Sequence, residues 1–263
     1  MTIRQKYFSE KRYNNFLREH DELIEFFLIN KFRSDSDLEE TSQRARYFQT
    51  LALDRILVTY TAGENIESLI PLLKDLIGKY EIRQKALADY QDAPNISPLA
   101  IDDWLNQYEE AVQVISLCIL LHRTDLLSRF VKFIDDAGYA GEDTLYEALL
   151  NKVMPNRHDV DEWYHDVYTP LIQAIYTDSE DEPPKLLKKY CEHWYPAFKQ
   201  SPWHDSHLHG DEGSYVGYWA FEAGAIAFLY GIDDSKIDHM VYPRDLVDYA
   251  RCHSASNASV PEI

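Results

Sequence analysis

Basic side chains are scarce in this chain. Only 26 Lys and Arg stand against 45 Asp and Glu over 263 residues, a net charge of −19. Phosphate contacts need clustered Lys and Arg, so direct nucleic-acid binding is not expected. Long apolar runs are absent too. Nothing approaches the ~18 apolar residues of a membrane span, and MTIRQKYFSEKRYNNF has no apolar segment behind its charges. Neither a membrane helix nor a signal peptide is expected, and a cytoplasmic protein is the default reading. Cysteine is limited to Cys118, Cys191 and Cys252, an odd number with no CxxC spacing, which reads as reduced structural thiols. A Gly-rich phosphate loop, a GxSxG elbow and a Cys with an obvious His partner are all missing. No catalytic, cofactor-binding or metal-binding residue is assigned, and no cofactor is expected.

Strand signals are equally sparse: no alternating segment is bounded by an NG or DG turn. What is present is helix after helix. Phe16, His20, Leu23 and Phe27 recur at three- and four-residue spacing in a helix from about Arg4 to Lys31. Ser36 or Asp37 caps a second that stops near Gly63. A third runs from about Asn65 to Tyr90, with Pro71 near its start, and a fourth from about Leu99 to Leu121, opening at Ser97-Pro98. Shorter patterns follow in TDLLSRFVKFIDDAG, EDTLYEALLNKV, DEWYHDVYTPLIQAIY and the aromatic-rich PPKLLKKYCEHWYPAFKQ. The expectation is an all-α bundle of about nine or ten helices. An N-terminal long-helix module (4–121) packs on a C-terminal module (122–252) with a central apolar helix, and 253–263 is a frayed tail.

The central helix is read from GSYVGYWAFEAGAIAFLYGIDD, Gly213 to Asp234. On a helical wheel Tyr215, Tyr218 or Trp219, Glu222, Ile226 and Leu229 share one face. Ala220, Ala223, Gly224 and Ala227 make another, flat enough for a neighbouring helix to approach closely. Glu222 alone is charged there. A buried carboxylate must be paired, hydrogen-bonded or protonated, and with no second carboxylate on its face a structural anchor is favoured over a catalytic acid. Arg251 or Arg244 is the expected partner, with Tyr218, Tyr242 or Trp203 as further donors.

Immediately upstream lies SPWHDSHLHGDEGSY. His204, His207 and His209 with Asp205, Asp211 and Glu212 have the composition of a divalent-metal site, but no HEXXH order, and no strand precedes an HxH pair. Solvated or capping histidines are the favoured reading. The rival reading is a metal-dependent hydrolase built on His204, His207, His209 and Glu222; a third is a helical scaffold with a non-nuclease partner.

The segments GYWAFE (217–222), Ala223 to Ala227, IDDS (232–235) and YPRDLVDYAR (242–251) together resemble, in order and spacing, the C-terminal module of the polymorphic nuclease immunity (PoNi) family. The helical region over about 4–121 is similar in length and pattern to that family's other module. The resemblance implies an all-helical cytoplasmic antidote that binds and neutralises a cognate DNase toxin of the PD-(D/E)xK type, and it carries over no catalytic residue.

Charge distribution fits such a partner. Residues 1–130 carry a net −5 and residues 131–263 a net −14, and an acidic half attracts a basic surface. The candidate contacts are Asp178, Glu180, Asp181 and Glu182 in TDSEDEPP, and Asp205, Asp211 and Glu212 in the histidine loop.

Overall fold

The computed structural model describes residues 2–258. Among them are ten α-helices, three short 3-10 segments and no strand, as the missing strand signals predict. Contacts divide the chain into two units that are interleaved in sequence. One gathers the N-terminal segment through Pro98 with Lys132–Ala137 and Trp203–Gly217; the other gathers Leu99–Val131, Gly138–Pro202 and the segment from Tyr218 onward.

In the first unit, α1 (Glu10–Ile29) begins later than its apolar stripe suggests. Ser9 is extended and its hydroxyl accepts from the Arg12 N–H, so the helix is capped there and residues 4–8 stay outside it. Ser36 caps α2 (Asp37–Ala62) in the same way, and Gly63 ends it in the left-handed conformation. A Cβ at Gly63 would lie 2.0 Å from the Thr2 carbonyl oxygen, so both its φ of +89° and its neighbour require glycine. After a 3-10 turn at Ile66–Ser68, α3 (Leu69–Gln91) packs against α2. Ile56 and Val58 of α2 and Leu73, Leu76 and Ile77 of α3 are all fully buried, each worth about 1.5–3 kcal/mol when removed from water. Polar groups inside are matched: the Arg83 guanidinium donates to Gln49 Oε1 and to the Pro98 carbonyl (2.5 Å).

The second unit holds α4 (Leu105–Leu120), α6 (Thr144–Asn151), α7 (Thr169–Tyr176), α8 (Pro183–Ala197), α9 (Phe221–Tyr230) and α10 (Arg244–Ala258). The helix α5 (Thr124–Asp135) crosses from this unit into the other at Lys132. Packed against α4, α6, α7, α8 and α10, α9 is the central helix, and Phe221 through Ala227 are all buried. Gly224 permits its contact with α10, since a Cβ there would meet Pro243 Cγ at 2.8 Å and Val247 Cγ2 at 2.9 Å. The small-residue face expected at this position is real.

Two boundaries differ from expectation. The fourth helix starts at Leu105, not Leu99: Gln107 Oε1 takes the Ala100 N–H (2.8 Å), stabilising a turn over 100–104 instead. The central helix starts at Phe221, not near Gly213. Gly217 has φ +115° and the Ala220 N–H is spent on the Val241 carbonyl (2.9 Å), so Tyr215, Tyr218 and Trp219 lie outside the helix and do not extend the Glu222 face. At the end of the chain, residues 253–258 continue α10, and 259–263 lie outside the described residues. No helix among the described residues is long and apolar enough to cross a membrane.

Candidate functional site

Two acidic loops stand as candidates for partner contact, and their local chemistry differs. In the first unit, Ser206–Glu212 forms a 3-10 segment kinked at Gly210 (φ 60°, ψ −149°). Asp211 is already engaged there: the Ser9 hydroxyl donates to its Oδ1 across 2.6 Å, and Lys11 Nζ stands 3.6 Å from Oδ2. The Ser9 bond, ahead of the lysine charge, holds the Asp211 carboxyl below the usual range. Glu212 accepts from Asn15 Nδ2 at 3.2 Å. Asp205, in the left-handed region at φ 61°, lies 3.7 Å from His204 Nε2. This loop is fastened to the start of α1.

Of its histidines, His207 joins in this fastening. The His207 ring lies 4.4 Å from that of Tyr7, centroid to centroid, and His209 is exposed. Among the described residues no group of three or more His, Cys, Asp or Glu side chains is placed to hold a metal ion. The composition that invites a metal is present in sequence without the convergence a coordination sphere needs.

The loop TDSEDEPP belongs to the second unit and joins α7 to α8. Thr177 Oγ1 accepts the Ser179 N–H (3.3 Å) and the Ser179 carbonyl accepts the Glu182 N–H (3.3 Å), which shapes the turn through its backbone. The carboxylates of Asp178, Glu180, Asp181 and Glu182 are all exposed and, among the described residues, have no hydrogen-bond or ion-pair partner. Pro183 and Pro184 then open α8 at its first turn.

Behind that loop, the core of the second unit carries buried carboxylates with distinct roles. Glu222 is fully buried. Tyr190 donates its hydroxyl to Oε1 (2.5 Å) and Trp194 donates its indole N–H to the same oxygen (3.1 Å). Both donors come from α8, one turn apart. Oε2 has no hydrogen-bond partner among the described residues. Burial pushes the Glu222 carboxyl up to about 7, against the downward pull of Tyr190 and Trp194. The donors to Glu222 are neutral, and the expected arginine pairing does not form.

Both arginines instead meet Asp234, within the IDDS segment. Arg251 Nη1 lies 2.8 Å and Arg244 Nη1 3.0 Å from its Oδ1, and the Tyr242 hydroxyl donates to Oδ2. Arg251 also reaches the Ile232 carbonyl (3.3 Å) and Arg244 the Ile237 carbonyl (2.8 Å). Burial alone would raise the Asp234 carboxyl; Arg251, Tyr242 and Arg244 outweigh it and hold it low. The reason for the exchange is placement. Glu222 occupies the first turn of α9, against α8, while Asp234 follows the helix end and faces the start of α10. Trp219, expected as a structural residue, is buried with its ring stacked 6.0 Å from that of Phe221.

A third clamp went unread in the sequence. Glu147 of α6, 2% exposed in its side chain, accepts from Arg157 Nε and Nη2, each at 2.8 Å, and from the Gly141 and His158 N–H groups at 2.8 and 3.0 Å. Asp143 caps the same helix through the Tyr146 N–H and takes the Tyr108 hydroxyl at 2.5 Å. The N-cap preference of Asp143 is a local signal for the start of α6, whereas the Glu147–Arg157 pair joins that helix to a later loop.

Among the described residues, Asp234 and Glu147 are met by arginine, tyrosine and backbone donors, Glu222 is met on one oxygen alone, and the acids of residues 178–182 stand on an exposed loop. In known proteins, residues 141–246 match the family model described as PoNe immunity proteins (PoNi), C-terminal. No curated protein matches the chain. Among solved structures, protein PA2201 from Pseudomonas aeruginosa is similar at a TM-score of 0.65 and 19% identity, covering 92% of this chain and 87% of that one, a likeness of fold. The family match takes in GYWAFE, IDDS and the first residues of YPRDLVDYAR, so that over residues 141–246 the chain carries the C-terminal module of the PoNi family.

Proposed function

We propose that this protein is an immunity protein that binds and neutralises a cognate DNase toxin in the cytoplasm, by occupying a surface and without chemistry of its own. The observation that carries this reading is the match of residues 141–246 to the PoNi C-terminal module. Charge supports it. A DNase presents a positive surface to its substrate, and a chain of net −19 is drawn to such a surface by long-range attraction. Exposed carboxylates then stand where DNA phosphates would, and a few desolvated anchors hold the complex.

Co-expression with the cognate DNase toxin, whose gene is expected beside this one, tests the reading. The expected result is full rescue of cells that the nuclease alone kills. Loss of viability despite soluble, folded protein at equal abundance would overturn it.

A further inference from the structure

Between α7 and α8 lies an open cavity of about 380 Å³, lined by Ile172, Gln173, Tyr176, Thr177, Glu182 and Leu186. Its floor is apolar: Ile172 is buried and Leu186 half-buried. Tyr176, the last residue of α7, is 53% exposed, a large aromatic left in water at the lip. The four unpartnered carboxylates of the 177–182 loop continue from its edge.

The charge along the chain leading to the groove from its α7 side has one sign. From His158 to Pro184 the chain carries Asp159, Asp161, Glu162 and Asp166 besides those four, every one exposed, and no Lys or Arg. Arg157, just before this segment, is committed to Glu147; Lys185 is the first basic residue after it. Asp159 acts on the lip: burial raises the Tyr176 hydroxyl above its usual range and the field of Asp159 adds to it.

We propose that this α7–α8 groove is the seat for a Lys or Arg side chain of the partner nuclease, with Tyr176 as the anchor. This rests on the immunity reading and says which surface carries it. A long basic side chain has an apolar stem and a charged head. The stem lies on Ile172 and Leu186, the head meets Glu182 and the loop carboxylates, and the Tyr176 ring offers a cation–π face. A neutral apolar anchor would leave Glu182 desolvated without a partner. The histidine-loop acids, by contrast, already hold Ser9, Lys11 and Asn15.

The test is a calorimetric titration of the full chain with the cognate DNase toxin identified by the co-expression rescue, inactivated at its catalytic residues. Tyr176→Ala is expected to weaken binding at least tenfold, the scale of an interface hot spot. Tyr176→Phe should stay within about threefold because the ring remains. Glu182→Lys should weaken binding at least tenfold and flatten its salt dependence, whereas Glu212→Gln should stay within about twofold of wild type. Wild-type binding with Tyr176→Ala and Glu182→Lys both within twofold overturns the groove and leaves the immunity reading standing. A wild-type chain that does not bind this nuclease overturns both. Should Tyr176→Ala unfold, Glu182→Lys, on the exposed rim, decides the matter.

Discussion

The Tyr190 hydroxyl reaches the Glu222 carboxylate across 2.5 Å, in a site with no arginine against it. A buried acid held by neutral donors prefers its proton. Its folded pKa, raised to about 7 by burial, lies above the ordinary glutamate value of about 4.3. A group with its folded pKa raised contributes stability fully present below the unfolded pKa and lost as pH rises through the folded one. At about 1.4 kcal/mol per pH unit, Glu222 withdraws about 3 kcal/mol between pH 4.5 and pH 8. Thermal melts of wild type and Glu222→Gln across that range are expected to converge at low pH, with the variant the more stable above pH 7. Parallel curves would mean that Glu222 stays ionised throughout.

Asp234 has the opposite sign. Its carboxyl is held low, so its contribution is present above the unfolded pKa and lost as pH falls through the folded one. Asp234→Ala strands Arg251 and Arg244. Because each guanidinium-bearing side chain is more than a third exposed, the expected loss is about 2 kcal/mol, below the 3–5 kcal/mol of a fully buried pair. Denaturant titration at pH 7 measures it, and the difference from wild type should shrink below pH 4.

Gly224→Val tests the contact of α9 with α10. The added Cβ alone meets Pro243 and Val247 at 2.8 and 2.9 Å, so the helices must separate. Overpacking of this kind costs about 1–3 kcal/mol, readable in the melting temperature. An unchanged midpoint would show that α10 is free to move.

The histidine loop is fastened by Ser9, Asn15 and Tyr7, not by convergent metal ligands. Chelator is therefore expected to leave the melting temperature unchanged. A stoichiometric zinc whose removal collapses the fold would contradict this.

Local signals made much of the fold legible. Ser36 and Gly63 bound α2 because capping and left-handed backbone are short-range chemistry, and the small face around Gly224 announced its close neighbour. Burial of Glu222 was legible as well, since every residue near it is apolar or aromatic. Its partner was not. Tyr190 and Trp194 lie on α8, about thirty residues away in sequence, and choosing between them and the arginines requires knowing that α9 begins only at Phe221. That start depends on the Ala220 N–H reaching Val241, a contact with no sequence pattern. The cavity beside Tyr176 is hidden for the same reason: TPLIQAIY reads as an apolar helix, and which of its side chains stays in water is decided by how α8 packs.

The central claim is inhibition by binding, and cleavage of duplex DNA by the purified cognate nuclease tests it most directly. With the protein added in increasing amounts, cleavage is expected to fall in proportion and stop at a fixed stoichiometry. The association rate should decline as salt rises, because the attraction is screened beyond about 10 Å at 0.1 M. Cleavage that continues undiminished at a large excess of folded protein would contradict the account.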